Sequence, residues 1–443
     1  MGLSARQIAF QALMDVETDH SYSNIVLGNI LSDFDVELSD RSFVSRLFYG
    51  VLEKKLLLDY NLSQYSSKPV NELDAPVLVI LRMGLYQLFF MNSVPASAAV
   101  NESVKLCKDN KLYKASGFVN GILRTAARKN ELLYPNKKKG KNKFLSVKYS
   151  CPEPIIRLWR ESYGDELCES ILSSLDGRPP LTARVNTLKL TEDELIASLD
   201  ESGVKAEPSQ YIPDCIMLDG TGAVEELSQY SEGLFHIQDT SSQLCCLLLE
   251  AEEGQTVIDA CSAPGGKSFT IAEYMKNKGR IVSCDLYEHR TGLVKSGAER
   301  LGIDIIETLC GDMSEASGLP DADRVICDVP CSGLGIIRRK PELRYKSDTG
   351  MTVLPEVQYS ILENCAGFLK SGGLLIYSTC TLNPAENGEN IRRFLREHEE
   401  FEAYPIKLPA AIERRIEEPE NELTLFPQRD GYDGFFISMV RRK

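Results

Sequence analysis

The sequence predicts a multidomain chain: an all-α N-terminal domain over residues 1–134, a basic linker at 135–149, a small α+β connector at 150–237, and a doubly wound α/β domain over 238–443. Three observations predict it. Apolar residues recur at helical spacing through the first part, with no run of β-alternation. Short strand-like and helical pieces mix in the second. After Gln238, strand cores and helix-length segments alternate repeatedly, the pattern of a parallel sheet with its sites at the strand C-termini.

In the first part, Ser4 caps a run in which Ile8, Ala12, Leu13 and Val16 share a face. Ser39 opens a second helix with Phe43, Leu47, Val51 and Leu52 apolar. Pro76 suits a first helical turn, and Leu78 to Phe90 is apolar almost all round, which predicts a central buried helix. Further helices are expected at Val100–Lys108 and Gly117–Arg128. Lysines, Gly and Pro then crowd Pro135–Lys143, favouring a solvated spacer. The connector reads as a helix over Pro154–Leu175, strands near Leu181–Asn186, Cys215–Leu218 and Leu234–Gln238, and a helix over Glu192–Ser202. The last part has strand cores at Val257–Asp259, Arg280–Cys284, Ile303–Thr308, Arg324–Cys327 and Leu374–Tyr377, and a closing hairpin around Phe426–Pro427 and Gly434–Val440.

Composition bounds the rest. Of 443 residues 43% are apolar and 26% charged, which excludes collagenous or wholly disordered chains. No run approaches the roughly 20 apolar residues of a bilayer span, and the N-terminus does not read as a signal peptide. Thirteen cysteines, an odd and scattered number, fit a reduced cytoplasmic compartment. The net charge is −14, yet residues 1–150 carry 20 basic against 14 acidic residues, +6, leaving −20 for the remainder. A basic third on an acidic body suits phosphate contact by one part of the protein, as RNA binding requires, and suits a plain basic spacer equally well.

The chemistry concentrates in the last part. Val257-Ile-Asp-Ala-Cys-Ser-Ala-Pro-Gly-Gly-Lys-Ser268 runs from a strand through a Gly-rich turn into a helix, letting backbone approach a ligand at a helix N-terminus. A phosphate-cradling loop would need glycine where Cys261 stands, and the dinucleotide Gly-x-Gly-x-x-Gly is absent. An adenosine pocket without a pyrophosphate remains. Asp285 ends the second strand, Asp312 follows the third and Asp328 ends the fourth, so three acids line one crevice. Asp285 is placed for ribose hydroxyls and Asp312 for the purine. Strand-end motifs also bring Cys331 and Cys380 to that crevice. Four histidines out of ligand spacing and no Cys-x-x-Cys argue against metal. A thiolate beside an adenosine cofactor has a specific use: added to C6 of a pyrimidine, it makes C5 nucleophilic toward a methyl group. Residue order alone leaves open which of the two cysteines attacks. Arg338, Arg339 and Lys340 follow the Pro-Cys turn and are candidates to grip RNA phosphates.

From about residue 150 onward the chain resembles the RNA (cytosine-5)-methyltransferases of the NOL1/NOP2/sun type. The matching elements are Asp259-Ala-Cys-Ser-Ala-Pro-Gly-Gly-Lys267, Asp328-Val-Pro-Cys-Ser-Gly333 and Ser378-Thr-Cys-Thr-Leu-Asn-Pro-Ala-Glu-Asn387. Residues 1–130 resemble the NusB domain, in Val100-Asn-Glu-Ser-Val-Lys-Leu-Cys-Lys108 and Phe118-Val-Asn-Gly-Ile-Leu-Arg124. The resemblance implies a Rossmann-like class I S-adenosylmethionine-dependent methyltransferase domain behind a NusB-like RNA-binding domain, acting on a cytosine of 16S ribosomal RNA, free or in early assembly. It implies that Cys261, Ser262, Ala263, Pro264, Gly265, Gly266 and Lys267 hold S-adenosyl-L-methionine, with Asp285 on its ribose, Asp312 at its adenine end and Asp328 between cofactor and base. Cys380 becomes the nucleophile and Cys331 the residue assisting release. Ser262 stands where the family often has alanine. A monomer without metal or membrane partner is expected. A transfer-RNA substrate, a non-catalytic NusB-like RNA scaffold, and an NTPase using Gly266-Lys267-Ser268 are the alternatives.

Overall fold

A computed structural model of the chain describes residues 3–19, 23–33, 38–177, 179–345, 349–427 and 431–443. The chain forms two units: Met1–Asp176 with Ile337–Lys346, and Gly177–Ile336 with Ser347–Lys443.

The first unit is helical: α1 (Ala5–Asp19), α2 (Ser23–Asp33), α3 (Leu38–Glu53), α4 (Lys55–Tyr65), α5 (Ala75–Phe90), α6 (Ala96–Asp109), α7 (Ser116–Lys129), α8 (Lys141–Tyr149) and α9 (Glu153–Ser173). As its sequence predicts, α5 is central and buried from Val77 to Gln87, packed among Leu13, Leu47, Leu58, Val119 and Leu123. Its one charged residue, Arg82, is neutralised there. The guanidinium donates to both carboxylate oxygens of Asp59, at 2.7 and 2.8 Å, and lies 3.4 Å from Glu17. A fork-to-fork pair of this kind is what makes a buried arginine tolerable.

The spacer reading of 135–149 is corrected in its second half. Residues 130–140 are irregular, but Lys141–Tyr149 is a helix with Leu145, Val147 and Tyr149 buried. Leu145 and Tyr149 lie on one side and Val147 on the opposite one, and the helix packs against both α4 and α9. Helix α9, the first element expected of the connector, is grouped with the helical unit.

Within the helical unit also lies the short turn Pro341–Tyr345. The Arg344 guanidinium donates to the carbonyls of Glu53, Tyr149 and Ser150 at 3.0–3.3 Å, the C-terminal ends of α3 and α8. Tyr345 Oη donates to the carbonyls of Leu52 and Ser150. The backbone N–H of Ser23, at the start of α2, donates to Glu342. A cation on carbonyl ends and an anion at an amide end follow the helix dipoles.

The second unit holds two sheets. The connector sheet is antiparallel, in the order β2-β3-β1-β4, from β1 (Leu181–Val185), β2 (Lys205–Pro208), β3 (Cys215–Asp219) and β4 (Phe235–Ile237), with helix α10 (Glu192–Glu201) on it. Helices α11 (Ser228–Ser231) and α12 (Thr240–Leu248) flank β4. The larger sheet comprises β5 (Thr256–Asp259), β6 (Arg280–Asp285), β7 (Ile306–Cys310), β8 (Ala322–Asp328), β9 (Leu369–Thr379), β10 (Phe401–Ala403), β11 (Glu422–Leu425) and β12 (Phe435–Arg442). Its order is β10-β12-β9-β8-β5-β6-β7, with β11 also on β12. Strands β5 to β9 pair in parallel, as alternation with α13 (Gly266–Tyr274), α14 (Glu288–Leu301) and α15 (Thr349–Ala366) predicts. The closing hairpin is present as β11 and β12, antiparallel, starting at Glu422, earlier than expected. Helix α16 (Gly388–Glu397) follows β9. Asp285, Asp328 and Cys380 all lie at the C-terminal edge of this parallel core, one strand end or one residue beyond it.

Candidate active site

The turn between β5 and α13 is fixed by its own hydrogen bonds. The N–H and hydroxyl of Ser262 both donate to the Cys284 carbonyl at 2.8 and 3.0 Å, tying the turn to β6. The Gly265 N–H donates to the Ser262 carbonyl at 2.7 Å. Gly265 has φ +112°, and a Cβ there would stand 2.3 Å from the Phe269 ring, so only glycine fits. The Ala263 N–H donates to Asp285 at 3.3 Å and its carbonyl accepts from Arg290, which also pairs with Asp285 at 3.2 Å. The Cys261–Lys267 turn and Asp285 therefore adjoin. Beneath them, Asp259 is fully buried. Ser268 donates to one of its oxygens at 2.7 Å, while the other has no partner. Burial pushes its pKa up to about 7, against the pull of Ser268 and Lys267. Asp312 is exposed two residues beyond β7, next to Gly311, whose N–H donates to the Asp285 carbonyl at 3.0 Å; it accepts from the hydroxyl and N–H of Ser314, which hold its pKa below the ordinary range.

Strands β8 and β9 run side by side with Asp328 opposite Ser378. Two loops continue them and are stitched together: the Val329 N–H donates to the Ser378 carbonyl and the Gly335 N–H to the Cys380 carbonyl, at 3.1 and 2.9 Å. Gly335 in turn lies under Gly434, whose oxygen would be 2.0 Å from any Cβ. This register brings Cys331 Sγ within 3.1 Å of Cys380 Sγ, both half-buried. The Cys331 thiol is held well above its usual pKa by the neighbouring Cys380 sulfur and by burial, with Glu386 and Asp328 adding to the effect.

Lys267 joins the two halves. Its Nζ lies 2.6 Å from Asp328 and 3.3 Å from Ser242 Oγ, over the Phe435 ring at 5.5 Å. Burial opposes its charge, but Asp328 together with the Cys245 and Cys246 sulfurs outweighs that and raises its pKa. Ser378 Oγ donates to the other Asp328 oxygen at 2.9 Å. One site therefore contains the Gly-rich turn, Asp328 and both thiols.

The expectation that Arg338 grips RNA is revised: its side chain is 3% exposed. Arg339 and Lys340 are half-buried and engaged in interactions, in a segment that packs with the helical unit. A different basic surface is open. Hollows of about 540 and 730 Å³ along α6 and α7 are lined by Lys105, Lys108, Arg124 and Arg128, with Asn101 and Asn120 between. No ion pair engages these four cations among the described residues. Sequence reasoning also passed over Glu386, which is wholly buried beside the cysteine loops. A carboxylate inside the otherwise neutral run after Cys380 was the available signal. Among the described residues no group of three or more His, Cys, Asp or Glu could hold a metal ion, and no helix is long and apolar enough to cross a membrane. All thirteen cysteines are free.

Three family models match the chain: the NusB family over residues 3–128, an RsmF/B-like ferredoxin-like domain over 151–225, and the 16S rRNA methyltransferase RsmB/F over 246–441. The probable ribosomal RNA small subunit methyltransferase B of Bacillus subtilis is 36% identical over 99% of both chains. The ribosomal RNA small subunit methyltransferase B of Klebsiella pneumoniae is 30% identical over 100% of this chain and 99% of its own. Among solved structures, that of PH0851 superposes with a TM-score of 0.83 at 28% identity, covering all of both chains. A methyltransferase homolog protein from Pyrococcus horikoshii shares the fold over 69% of this chain and 99% of its own, with a TM-score of 0.59 at 24% identity.

Proposed function

Because the chain belongs to the ribosomal RNA small subunit methyltransferase B family, we propose that it transfers a methyl group from S-adenosyl-L-methionine to C5 of a cytosine in 16S ribosomal RNA, with Cys380 as the attacking residue. The observation that carries this reading is the pair of sulfurs 3.1 Å apart beside an Asp328–Lys267 pair that leads to the Gly-rich turn. The residues of that turn fit the cofactor: Asp285 borders it, and Asp259 keeps one buried oxygen without a partner. When bound, the cofactor supplies an electrophilic methyl group on sulfonium sulfur.

The chain's own residues do the rest. A Cys380 thiolate adds to C6 of the cytosine, forming an S–C6 bond and moving electron density to C5. Asp328, held from both sides by Lys267 and Ser378, faces the base's N3 and amino group. Cys331, whose sulfur lies 3.1 Å from that of Cys380, is the residue that assists release, donating its S–H proton to the departing sulfur. Once C5 carries the methyl group, a water molecule takes the C5 proton, the electron pair of that C–H bond reforms the C5–C6 double bond, and the S–C6 bond breaks with its electrons returning to the Cys380 sulfur. Reaching the site requires an unstacked base, least costly in a single-stranded loop. The open cations of α6 and α7 suit the phosphate backbone of the same RNA.

The test uses purified enzyme, 16S RNA and radiolabelled cofactor, with bisulfite mapping of the product. Cys380→Ala is expected to lower transfer by at least about 10³-fold. Cys331→Ala is expected to accumulate a covalent RNA adduct. Transfer surviving in the first, or label on an atom other than cytosine C5, would refute the reading.

A further inference from the structure

The Pro-Cys turn and the loop after β9 could in principle sit at many separations. The hydrogen bonds of one side chain limit them to one. Glu386, with no exposed surface, receives four donors on its two oxygens. The Ser332 N–H and Gln358 Nε2 donate to Oε2 at 2.8 and 2.9 Å. The Ser332 hydroxyl and Asn383 Nδ2 donate to Oε1 at 2.5 and 2.9 Å. Ser332 follows Cys331 directly. Its oxygen also lies 2.7 Å from the hydroxyl of Thr381, the residue following Cys380. Gln358, on α15, donates again to the Pro330 carbonyl at 2.9 Å, and Tyr377 Oη donates to the Glu386 carbonyl at 2.6 Å. The carboxylate thus grips the residue after one cysteine directly, the residue before it through Gln358, and the residue after the other cysteine through Ser332.

We propose that Glu386 is the positioning residue for the two-thiol chemistry: it clamps the Cys331 turn against Cys380 and so sets the sulfur-to-sulfur separation on which product release depends. It touches neither substrate nor cofactor and acts only through the turn. The proposal rests on the two-cysteine reading above. A carboxylate alone suits the position, since it accepts at both oxygens and donates at neither. Glutamine would turn an NH₂ toward either Asn383 or the Ser332 N–H and Gln358, leaving donor against donor.

The clamp has a geometric readout independent of catalysis. Diamide oxidises two adjacent thiols to a disulfide: one S–S bond forms, and the two thiol protons and two electrons reduce the diazene to a hydrazine. In the full-length chain the 331–380 bridge, followed by peptide mass spectrometry, is expected to form at least about tenfold more slowly in Glu386→Gln, because effective concentration falls steeply once two groups lose their fixed geometry. With 16S RNA, the same variant is expected to carry out one round of methyl transfer within about threefold of the unaltered enzyme, while steady-state kcat falls at least about tenfold and covalent adduct accumulates, KM for the cofactor holding. Glu386→Asp, keeping the charge on a shorter arm, restores part of both. Ser332→Ala, which removes one donor and keeps the backbone bond, gives smaller effects in the same direction should Glu386→Gln not fold.

Bridging at the unaltered rate, or turnover within about twofold of it, overturns the clamp. Failure of the underlying reaction is separable: active Cys380→Ala, or no adduct from Cys331→Ala, refutes the chemistry while the bridging rate still judges Glu386.

Discussion

Lys267 can be charged and buried because its partner is itself held in place. Asp328 is the last residue of β8 and is held on its far side by Ser378 of β9, so the ammonium meets an oriented acceptor. The opposite solution appears at His236, buried on β4 beside Arg184, Arg300 and Glu273. Burial, then the two arginines, push its pKa down to about 3, so it folds neutral. Its folded value lies below its unfolded one, so the stability it contributes is present above about pH 6.5 and is lost as pH falls toward 3. Between pH 6.5 and 5 this loss should be about 2 kcal/mol. Glu273, pushed up to about 8 by burial against Arg184, titrates in the opposite sense. It is present in both proteins when the native chain is compared with His236→Phe. Urea unfolding at pH 7 and pH 5 should show the variant losing less stability on acidification; equal losses would place the titration elsewhere. At this scale the turn residues, Asp328 and the two cysteines were legible in the sequence, since strand ends are readable and each motif is contiguous. Glu386 was not, because its role comes from donors 54, 28 and 3 residues away.

Among the elements, those with a clean periodicity were legible and those defined by what they pack against were not. Strand β2, mostly exposed, shows no apolar alternation. Strand β10 has three residues. Helix α8 hid behind its lysines. The Pro341–Tyr345 turn was the least legible: it continues the basic run read as a grip on RNA phosphates, yet its one arginine, Arg344, is 1% exposed and bonds three carbonyls. Removing it leaves those carbonyls short of a buried donor. Arg344→Ala should cost the helical unit about 1–3 kcal/mol, read as a fall in its denaturant midpoint. An unchanged midpoint would mean the turn is merely tethered there.

For the whole molecule, the division of charge acquires a location. The net +6 of residues 1–150 includes Lys105, Lys108, Arg124 and Arg128 along one pair of helices, while the remainder is net −20. The double change Lys105→Glu with Arg124→Glu should weaken 16S RNA binding. It should also lower the slope of log affinity against log salt by roughly one for each phosphate that is no longer neutralised, with cofactor affinity unchanged. Fluorescence anisotropy between low and moderate salt measures this, and an unaltered slope would move the RNA elsewhere. The three-part organisation itself was legible, because alternation and helical spacing persist over long stretches. The return of residues 337–346 to the helical unit was not, because it comes from packing that no local pattern announces.

That last segment has a topological corollary. Since Ile337–Lys346 returns to the helical unit from within the catalytic one, the backbone passes between the two bodies three times: after Asp176, after Ile336 and after Lys346. No single scission can liberate either body intact. Any excised catalytic fragment would carry a ten-residue strap stripped of its socket, and the helical fragment would retain a vacant groove where Arg344 belongs.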